Sequence, residues 1–187
     1  MHHVLKYSRG YTEPMIIIST SEQMLYHRRK SGVWHSYSVS TATNGIGNRQ
    51  GSYQTPLGKH RIAQKIGDGL PLFTAFRGRK PFCIYSRSNN PLTPIPWVTG
   101  KRASDYEPCE TRTFRMAYKQ KSESVFADQT SDWILTRILW LAGCETGRNR
   151  RGSVDTQARY IYIHGTHEED KIGTPASHGC IRMRNDD

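Results

Sequence analysis

The chain has 187 residues, of which 35% are hydrophobic and 10% are aromatic, and its formal net charge is +11. This length suits one domain, or one domain with a short extension, and the aromatic content excludes a wholly disordered chain. The basic residues are scattered, so the charge indicates either an ordinary solvated surface or attraction to an anionic polymer, such as nucleic acid or cell wall.

The first part of the chain is typical of short strands. Met15 to Ser19 is a β-branched run, and Gln23 to His27 follows after three polar residues as the second arm of a hairpin. Val33 to Ser40 alternates with a period of two residues. The sequence therefore predicts three early strands.

The middle of the chain is rich in turns. Glycines between positions 43 and 58 are out of register for a dinucleotide-binding loop, so they predict turns. Between Ser86 and Cys109, frequent Pro, Ser, Asn and Gly predict a long irregular insertion or lid. Trp133 to Leu141 favours a strand over a buried helix, because β-branched residues recur in it. Tyr160 to Ile163 predicts a further strand that ends at His164-Gly165.

Two kinds of segment are not evident in the sequence. The longest dense apolar stretch, Trp133 to Ala142, is interrupted by Arg137 and is shorter than the roughly 18 to 20 residues that span a bilayer. The first residues lack the charged start, apolar stretch and cleavage site of a secretory signal. We therefore expect no membrane span, and either a mature chain or one that stays in the cytoplasm.

The cysteines are widely separated and form no C-x-x-C pair; they are Cys83, Cys109, Cys144 and Cys180. Their spacing is weak evidence for a disulfide framework and matches no common structural zinc pattern. One or more of them is expected to be an ordinary buried thiol, and a bridge between Cys83 and Cys109 stays open.

Residues that carry chemistry gather near the end of the chain. His164 follows a predicted strand, where a rigid sheet can aim its imidazole into a cleft. A turn at positions 171–175 can bring it to face the segment Ser177 to Met183, which contains Cys180. A thiol beside an imidazole forms a nucleophile with a proton acceptor, and the imidazole can return the proton to a leaving amine. The pair predicts acyl transfer.

The neighbours of Cys180 suit an oxyanion. Gly179 lets a substrate approach the backbone, and the N–H groups of Gly179 and Cys180, with His178, are candidate donors. Arg182 lies on the same face as Cys180 if the chain is extended, and could clamp a substrate carboxylate. Each residue also has an ordinary interpretation, as a buried thiol, a structural histidine or a surface arginine. A zinc site is a further alternative, with the candidate ligands His164, His167, His178 and Cys180.

These motifs resemble those of a known family. His164-Gly165-Thr166 followed by Ser177-His178-Gly179-Cys180 resembles the H-G-x and [S/T]-H-G-C signature of the L,D-transpeptidase catalytic domain, the YkuD-like family. Upstream, Thr55-Pro56-Leu57-Gly58 resembles the T-P-x-G turn of these domains, and Ile172-Gly173 resembles the step before their cysteine loop. The resemblance covers roughly Met15 to Asp187.

The resemblance implies a mainly β sandwich with few short helices and a cleft over the cysteine. It also implies a ping-pong reaction on a peptidoglycan stem tetrapeptide, whose third residue is commonly diaminopimelate. The cysteine attacks the bond after that residue, releases D-Ala and holds a thioacyl group. An amine from another stem, a lipoprotein lysine, water or a D-amino acid then takes the group. Cross-linking, protein attachment, L,D-carboxypeptidase trimming and D-amino-acid exchange all stay open.

The resemblance also implies residue roles. Cys180 would be the nucleophile and His164 the general base and acid, oriented by the backbone carbonyl of Gly165. The residues that would shape the oxyanion pocket are Ser177, His178 and Gly179. The residues that would bind substrate are Arg182, Tyr162 and Thr166.

The sequence and the family resemblance also predict the domain bounds, the partners and the location of the protein. Residues 1–14 would form an N-terminal extension, and residues 15–187 the catalytic domain, either complete or truncated at its C-terminal end. We expect peptidoglycan stem peptides as partners, and no cofactor, metal or nucleic acid. The family implies a cell-envelope location, while the lack of a visible signal leaves the cytoplasm open. An inactive cell-wall or nucleic-acid binding module and a metal-dependent hydrolase stay as alternatives.

Overall fold

The computed structural model describes residues 13–85, 93–94 and 132–187. Within this part, strands account for 42% of the residues and helical segments for 5%. The expected mainly β fold with few short helices is therefore confirmed. The predicted insertion between Ser86 and Cys109 lies almost wholly outside the described residues, and the pairing of Cys83 with Cys109 falls outside the described side chains.

A small antiparallel sheet contains the three early strands, which confirms that prediction. They are β1 (Met15–Ser19), β2 (Met24–Arg28) and β3 (Trp34–Ser38), in the order β1-β2-β3. Gln23 ends the β1–β2 turn with a positive φ of 53°. Its side-chain amide accepts a hydrogen bond from the backbone N–H of Thr41 at 2.8 Å. This bond ties the hairpin to the segment that leaves the small sheet.

The second sheet has the strands β4 (His60–Ile66), β5 (Thr74–Arg77), β6 (Lys80–Ile84), β7 (Thr93–Pro94), β8 (Ile134–Gly143), β9 (Tyr162–Gly165) and β10 (Ile181–Met183). Their order is β10-β9-β8-β5-β6-β7, and β4 also pairs with β8. Short 3-10 helices occupy Gly152–Val154 and Glu169–Lys171.

Two sequence predictions concern this sheet. The strand expected at Trp133 to Leu141 is confirmed as β8. The strand expected from Tyr160 instead begins at Tyr162, because Tyr160 has a φ of 57° and belongs to the preceding turn. That turn is closed by a hydrogen bond from the backbone N–H of Tyr160 to the carbonyl of Gln157.

The two sheets pack through one apolar cluster. Its buried members are Leu25, Val39, Leu141, Ile161, Ile163 and Ile181. Burying each such side chain stabilises the fold by about 1.5–3 kcal/mol. Because successive strand residues point to opposite faces, Ile163 and Ile181 direct their neighbours His164 and Arg182 away from this core. The polar side chains of His164 and Arg182 therefore lie on the opposite face of the sheet.

A bulge in β8 lies directly beside β9. The pairing shifts between Leu135, which is opposite Gly165, and Ile138, which is opposite His164. Thr136 takes a φ of 66° in the bulge, and its hydroxyl donates a hydrogen bond to Asn185 at 2.6 Å. Bulges re-aim side chains beside active sites, and this one adjoins His164.

Candidate active site

A cavity of about 440 Å³ lies on the side of the second sheet that faces away from the apolar cluster. Its lining residues are Gly78, Arg79, Asp132, Ile134, Tyr160, Tyr162, His164 and Cys180. Strand β10 runs parallel to β9 and places Arg182 opposite His164. Cys180, which immediately precedes β10, is therefore brought to the same wall as His164.

His164 is held in one orientation. Its side chain is buried, and its Nδ1 lies 2.7 Å from the backbone carbonyl of Gly165. A carbonyl oxygen only accepts hydrogen bonds, so Nδ1 carries the proton and Nε2 of the neutral ring is an acceptor. Burial lowers the pKa of His164, although the charge of Asp132 acts in the opposite direction. The neutral ring with a free Nε2 lone pair is the form that a general base requires.

Cys180 presents a half-buried thiol to the cavity. Its Sγ accepts a hydrogen bond from the backbone N–H of Tyr162 at 3.4 Å and donates one to the carbonyl of Tyr160 at 3.6 Å. Burial raises the pKa of the Cys180 thiol to about 12, against the N–H of Tyr162 and the charge of Arg182, which favour the thiolate. At neutral pH the resting nucleophile is therefore a thiol, and a base must remove its proton during attack.

The loop before Cys180 is fixed by short polar contacts. The buried hydroxyl of Ser177 donates to the carbonyl of Cys180 at 2.6 Å and accepts from the N–H of Gly179 at 3.2 Å. Gly179 has a φ of +128°, and a Cβ there would lie 3.2 Å from Cδ1 of Ile161. Thr55 donates its hydroxyl to the carbonyl of Gly179 at 3.1 Å. Glycine is required at this position, because a side chain would meet both backbone strain and a packed neighbour.

A buried ionic group lies beside the cavity. Arg182 is 1% exposed, and its guanidinium lies 2.8 Å from Asp132 and 2.8 Å from Glu168. Asp132 also lies 3.5 Å from Nδ1 of the exposed His178. Burial tends to raise the pKa of Asp132, but its electrostatic interaction with His164, together with the hydrogen bond and the charge of Arg182, outweighs burial and holds this pKa below its usual value. Asp132 is thus an anion that touches both the ionic group and the cavity.

Comparison with known proteins agrees with this geometry. The chain matches the family model of the YkuD L,D-transpeptidase catalytic domain over residues 13–187. It belongs to the YkuD family. A comparison with curated proteins gave no match. YkuD domains have L,D-transpeptidase activity on peptidoglycan in general, and they are generally associated with the cell envelope. In the described part of the chain, no helix has the length and apolar character needed to cross a membrane.

Six of the predicted site residues of this YkuD domain form two groups. Cys180, His164 and Tyr162 line the cavity. Ser177, Gly179 and Gly165 support them from behind, through the contacts described above. The N–H of Gly179, predicted as an oxyanion donor, is directed at the hydroxyl of Ser177 at 3.2 Å.

Two of the residues predicted to bind substrate, Thr166 and Arg182, lie outside the described cavity lining. Thr166 is 0% exposed, and its carbonyl accepts a hydrogen bond from Asn185 at 2.7 Å. Arg182 is occupied by Asp132 and Glu168, so its guanidinium is not presented to a substrate carboxylate. Neither Thr166 nor Arg182 is among the described residues that line the cavity. For Arg182, the reason is that its guanidinium forms ion pairs with Asp132 and Glu168 inside the protein. The sequence spacing gave no indication of these ion pairs.

The four residues considered as zinc ligands are not arranged around a common point. In residues 13–85 and 132–187, no group of three or more His, Cys, Asp and Glu side chains is arranged to hold a metal ion. His164 turns its Nδ1 to Gly165, and the ring of His167 packs against Tyr85 with centroids 5.8 Å apart. The candidate ligands therefore do not converge.

Several residues that line the cavity, or that pack against its lining as Trp140 does, were not identified from the sequence. Nothing in the local sequence distinguished Arg79 from the other scattered basic residues, and Asp132 gave no signal. Trp140 and Tyr160 were read only as strand residues. These residues are brought together by two strand pairings that are not local in the sequence, that of β5 with β8 and that of β8 with β9.

Proposed function

We propose that this chain is a peptidoglycan L,D-transpeptidase that uses Cys180 as its nucleophile, and that residues 15–187 form the catalytic domain acting in the cell envelope. Family membership supports the reaction class. The placement of a buried, backbone-oriented His164 and the thiol of Cys180 on one cavity wall carries the mechanistic part. A thiol with a nearby imidazole acceptor is the minimal set for acyl transfer.

In the first half-reaction, the Sγ of Cys180 attacks the carbonyl carbon of the third residue of the stem tetrapeptide, and Nε2 of His164 takes the thiol proton. The sulfur–carbon bond forms and the carbon–nitrogen bond breaks. The proton on His164 passes to the departing nitrogen, and D-Ala leaves as an amine. The pKa of Cys180, raised by burial to about 12, makes this proton transfer part of the attack rather than a step before it.

In the second half-reaction, an amine attacks the thioester and loses a proton to His164, while Cys180 leaves with that proton. An amine from another stem yields a 3-3 cross-link, and an amine from a protein attaches that protein to the wall. Water gives carboxypeptidase trimming, and a D-amino acid gives exchange. We propose transpeptidation as the main outcome, because it is the general activity of the family.

The test is incubation of the protein with a purified disaccharide-tetrapeptide, followed by mass spectrometry of the products. A cross-linked dimer, a tripeptide or an exchanged peptide each identifies a different second half-reaction. Cys180→Ala is expected to abolish all products, because the nucleophile is gone. Cys144→Ala is the matched control, since Cys144 is also a free thiol, and it is expected to retain full activity.

A carbapenem supplies a second measurement that needs no acceptor. The wild type is expected to gain one covalent acyl mass, and Cys180→Ala to gain none. A folded wild type that neither processes the tetrapeptide nor gains this mass would refute the proposal. Salt-sensitive DNA binding that survives Cys180→Ala in such a protein would instead favour a nucleic-acid binding module, consistent with the net charge of +11.

A further inference from the structure

Arg79 occupies a strained position at the tip of a hairpin. Arg77 pairs with Lys80, so Gly78 and Arg79 form a two-residue turn between β5 and β6. Both turn residues have positive φ, 53° for Gly78 and 65° for Arg79. The second position of such a turn usually holds glycine, because other side chains are disfavoured there. An arginine at this place is the kind of backbone outlier that accompanies a functional role.

The surrounding rings hold the guanidinium of Arg79 in place. Its Cζ lies 4.5 Å from the ring centre of Trp140 and 5.3 Å from that of Tyr160. These two rings stack on each other with centres 6.0 Å apart. One nitrogen of Arg79 donates a hydrogen bond to the hydroxyl of Tyr162 at 3.3 Å. Stacked guanidinium groups keep their planar donor edge available, and their orientation costs little further entropy on binding.

The charge of Arg79 is not neutralised by a carboxylate of the described part of the chain. Asp132, the acidic residue of the cavity wall, already pairs with Arg182 at 2.8 Å. Arg79 therefore brings to the cavity a positive charge and several N–H donors that no residue of the described ranges accepts. A planar guanidinium with free donors is well suited to bind a carboxylate through two parallel hydrogen bonds.

Tyr162 links this charge to the nucleophile. Its backbone N–H donates to Sγ of Cys180, and its hydroxyl accepts from Arg79. Arg79 therefore lies one tyrosine side chain away from the reacting sulfur. When the scissile carbonyl of a peptide lies at Cys180, the carboxylates of the two residues that flank the scissile bond can reach the guanidinium of Arg79.

We propose that Arg79 binds a carboxylate of the stem tetrapeptide next to the scissile bond and thereby selects the acyl donor. This proposal rests on the proposed function for its substrate. The carboxylate has two sources in the tetrapeptide, the C-terminal D-Ala and the side chain of diaminopimelate at the third position. Both present the same chemistry to the guanidinium, and the experiment separates them.

The experiment compares wild type and Arg79→Gln on three disaccharide-tetrapeptides. These are the parent with diaminopimelate, its C-terminal amide, and an analogue with lysine at the third position. For the parent, Arg79→Gln is expected to raise KM about 10- to 100-fold, with kcat within about threefold, because a charge-assisted ground-state contact is lost. For the analogue that lacks the bound carboxylate, wild type and Arg79→Gln should have equal KM, which identifies the source.

Matched variants separate recognition from hairpin structure. Lys80→Gln removes the same charge from the same hairpin at an exposed position and is expected to leave KM within about twofold, as for a surface charge. Arg79→Lys keeps the charge but not the planar donor edge, so an intermediate KM is expected. Unchanged KM for the parent in Arg79→Gln would overturn the proposal. An equal rise in KM for all three substrates would overturn it too, since that pattern indicates a structural role.

Binding in the absence of chemistry keeps this test distinct from that of the proposed function. Titration calorimetry on Cys180→Ala measures the affinity for the parent tetrapeptide with and without Arg79→Gln. A 10- to 100-fold loss of affinity in a protein whose wild type lacks turnover would support Arg79 while refuting the enzyme. Turnover by the wild type with no effect of Arg79→Gln would refute Arg79 alone. No binding and no turnover would refute both.

Discussion

Two unlike groups of residues flank the candidate cavity, and each contains an arginine. On the ionic side, which comprises Asp132, Glu168 and Arg182, the guanidinium is buried between two carboxylates. On the aromatic side, which comprises Arg79, Trp140, Tyr160 and Tyr162, the guanidinium stacks on rings and meets no carboxylate within the described residues. An arginine whose charge is met inside the protein supports the fold. One held by rings keeps its charge for a ligand.

The largest expected effect is on stability, and it tests the ionic side. Arg182→Met removes the buried arginine that pairs with both Asp132 and Glu168, so we expect a loss of about 3 kcal/mol in the free energy of unfolding. Arg79→Met loses ring contacts at the rim, so we expect a clearly smaller loss of stability than for Arg182→Met. Urea denaturation monitored by tryptophan fluorescence measures both. Equal losses would contradict the distinction between the two sides.

Local sequence patterns predicted several of the strands, but they did not predict where β9 begins or where β8 bulges. β1 and β8 were predicted because β-branched residues recur in them, and β2 because a second short run follows three polar residues. The start of β9 was placed two residues early, since nothing in the composition of Tyr160 announces its φ of 57°. The bulge at Thr136 was also missed, because it depends on the hydroxyl contact with the distant Asn185.

The candidate site shows the same division. His164 and Cys180 were predicted because a short motif contains them. The placement of Arg182 could not be predicted, since it depends on ion pairs with Asp132 and Glu168, and Asp132 lies fifty residues earlier in the chain. Arg79 was overlooked for a related reason. Its guanidinium stacks on the rings of Trp140 in β8 and Tyr160 beside β9, and only the strand pairing of the sheet brings these rings to the hairpin.

The next expected effect concerns the reactivity of Cys180, which lies between the two sides. Its pKa is raised to about 12, chiefly by burial, and the charge of Asp132 adds to this rise. Alkylation by iodoacetamide should therefore accelerate about tenfold per pH unit from about pH 7 to 10, without a plateau, because only the thiolate reacts. Peptide mass spectrometry measures the rate at Cys180 itself.

Variants on the two sides should change this profile differently. Asp132→Asn removes a negative charge that disfavours the thiolate, so the rate at each pH should rise about three- to tenfold. Arg79→Gln should leave the rate within about twofold, because the charges that favour the thiolate are those of Arg182 and Arg159. A plateau near neutral pH in the wild type would instead indicate a resting thiolate–imidazolium pair and would contradict the proton transfer proposed for His164.

The smallest expected effect tests the link between the aromatic side and the nucleophile. Tyr162→Phe removes the hydroxyl that accepts from Arg79 at 3.3 Å, but it keeps the backbone N–H that donates to Cys180. We expect KM for the tetrapeptide to rise about three- to tenfold, because one hydrogen bond that aims the guanidinium is lost. We expect kcat within about twofold, since the N–H at the sulfur remains. Steady-state kinetics separates the two constants, and a fall in kcat with unchanged KM would show that the hydroxyl serves the chemistry rather than the orientation of Arg79.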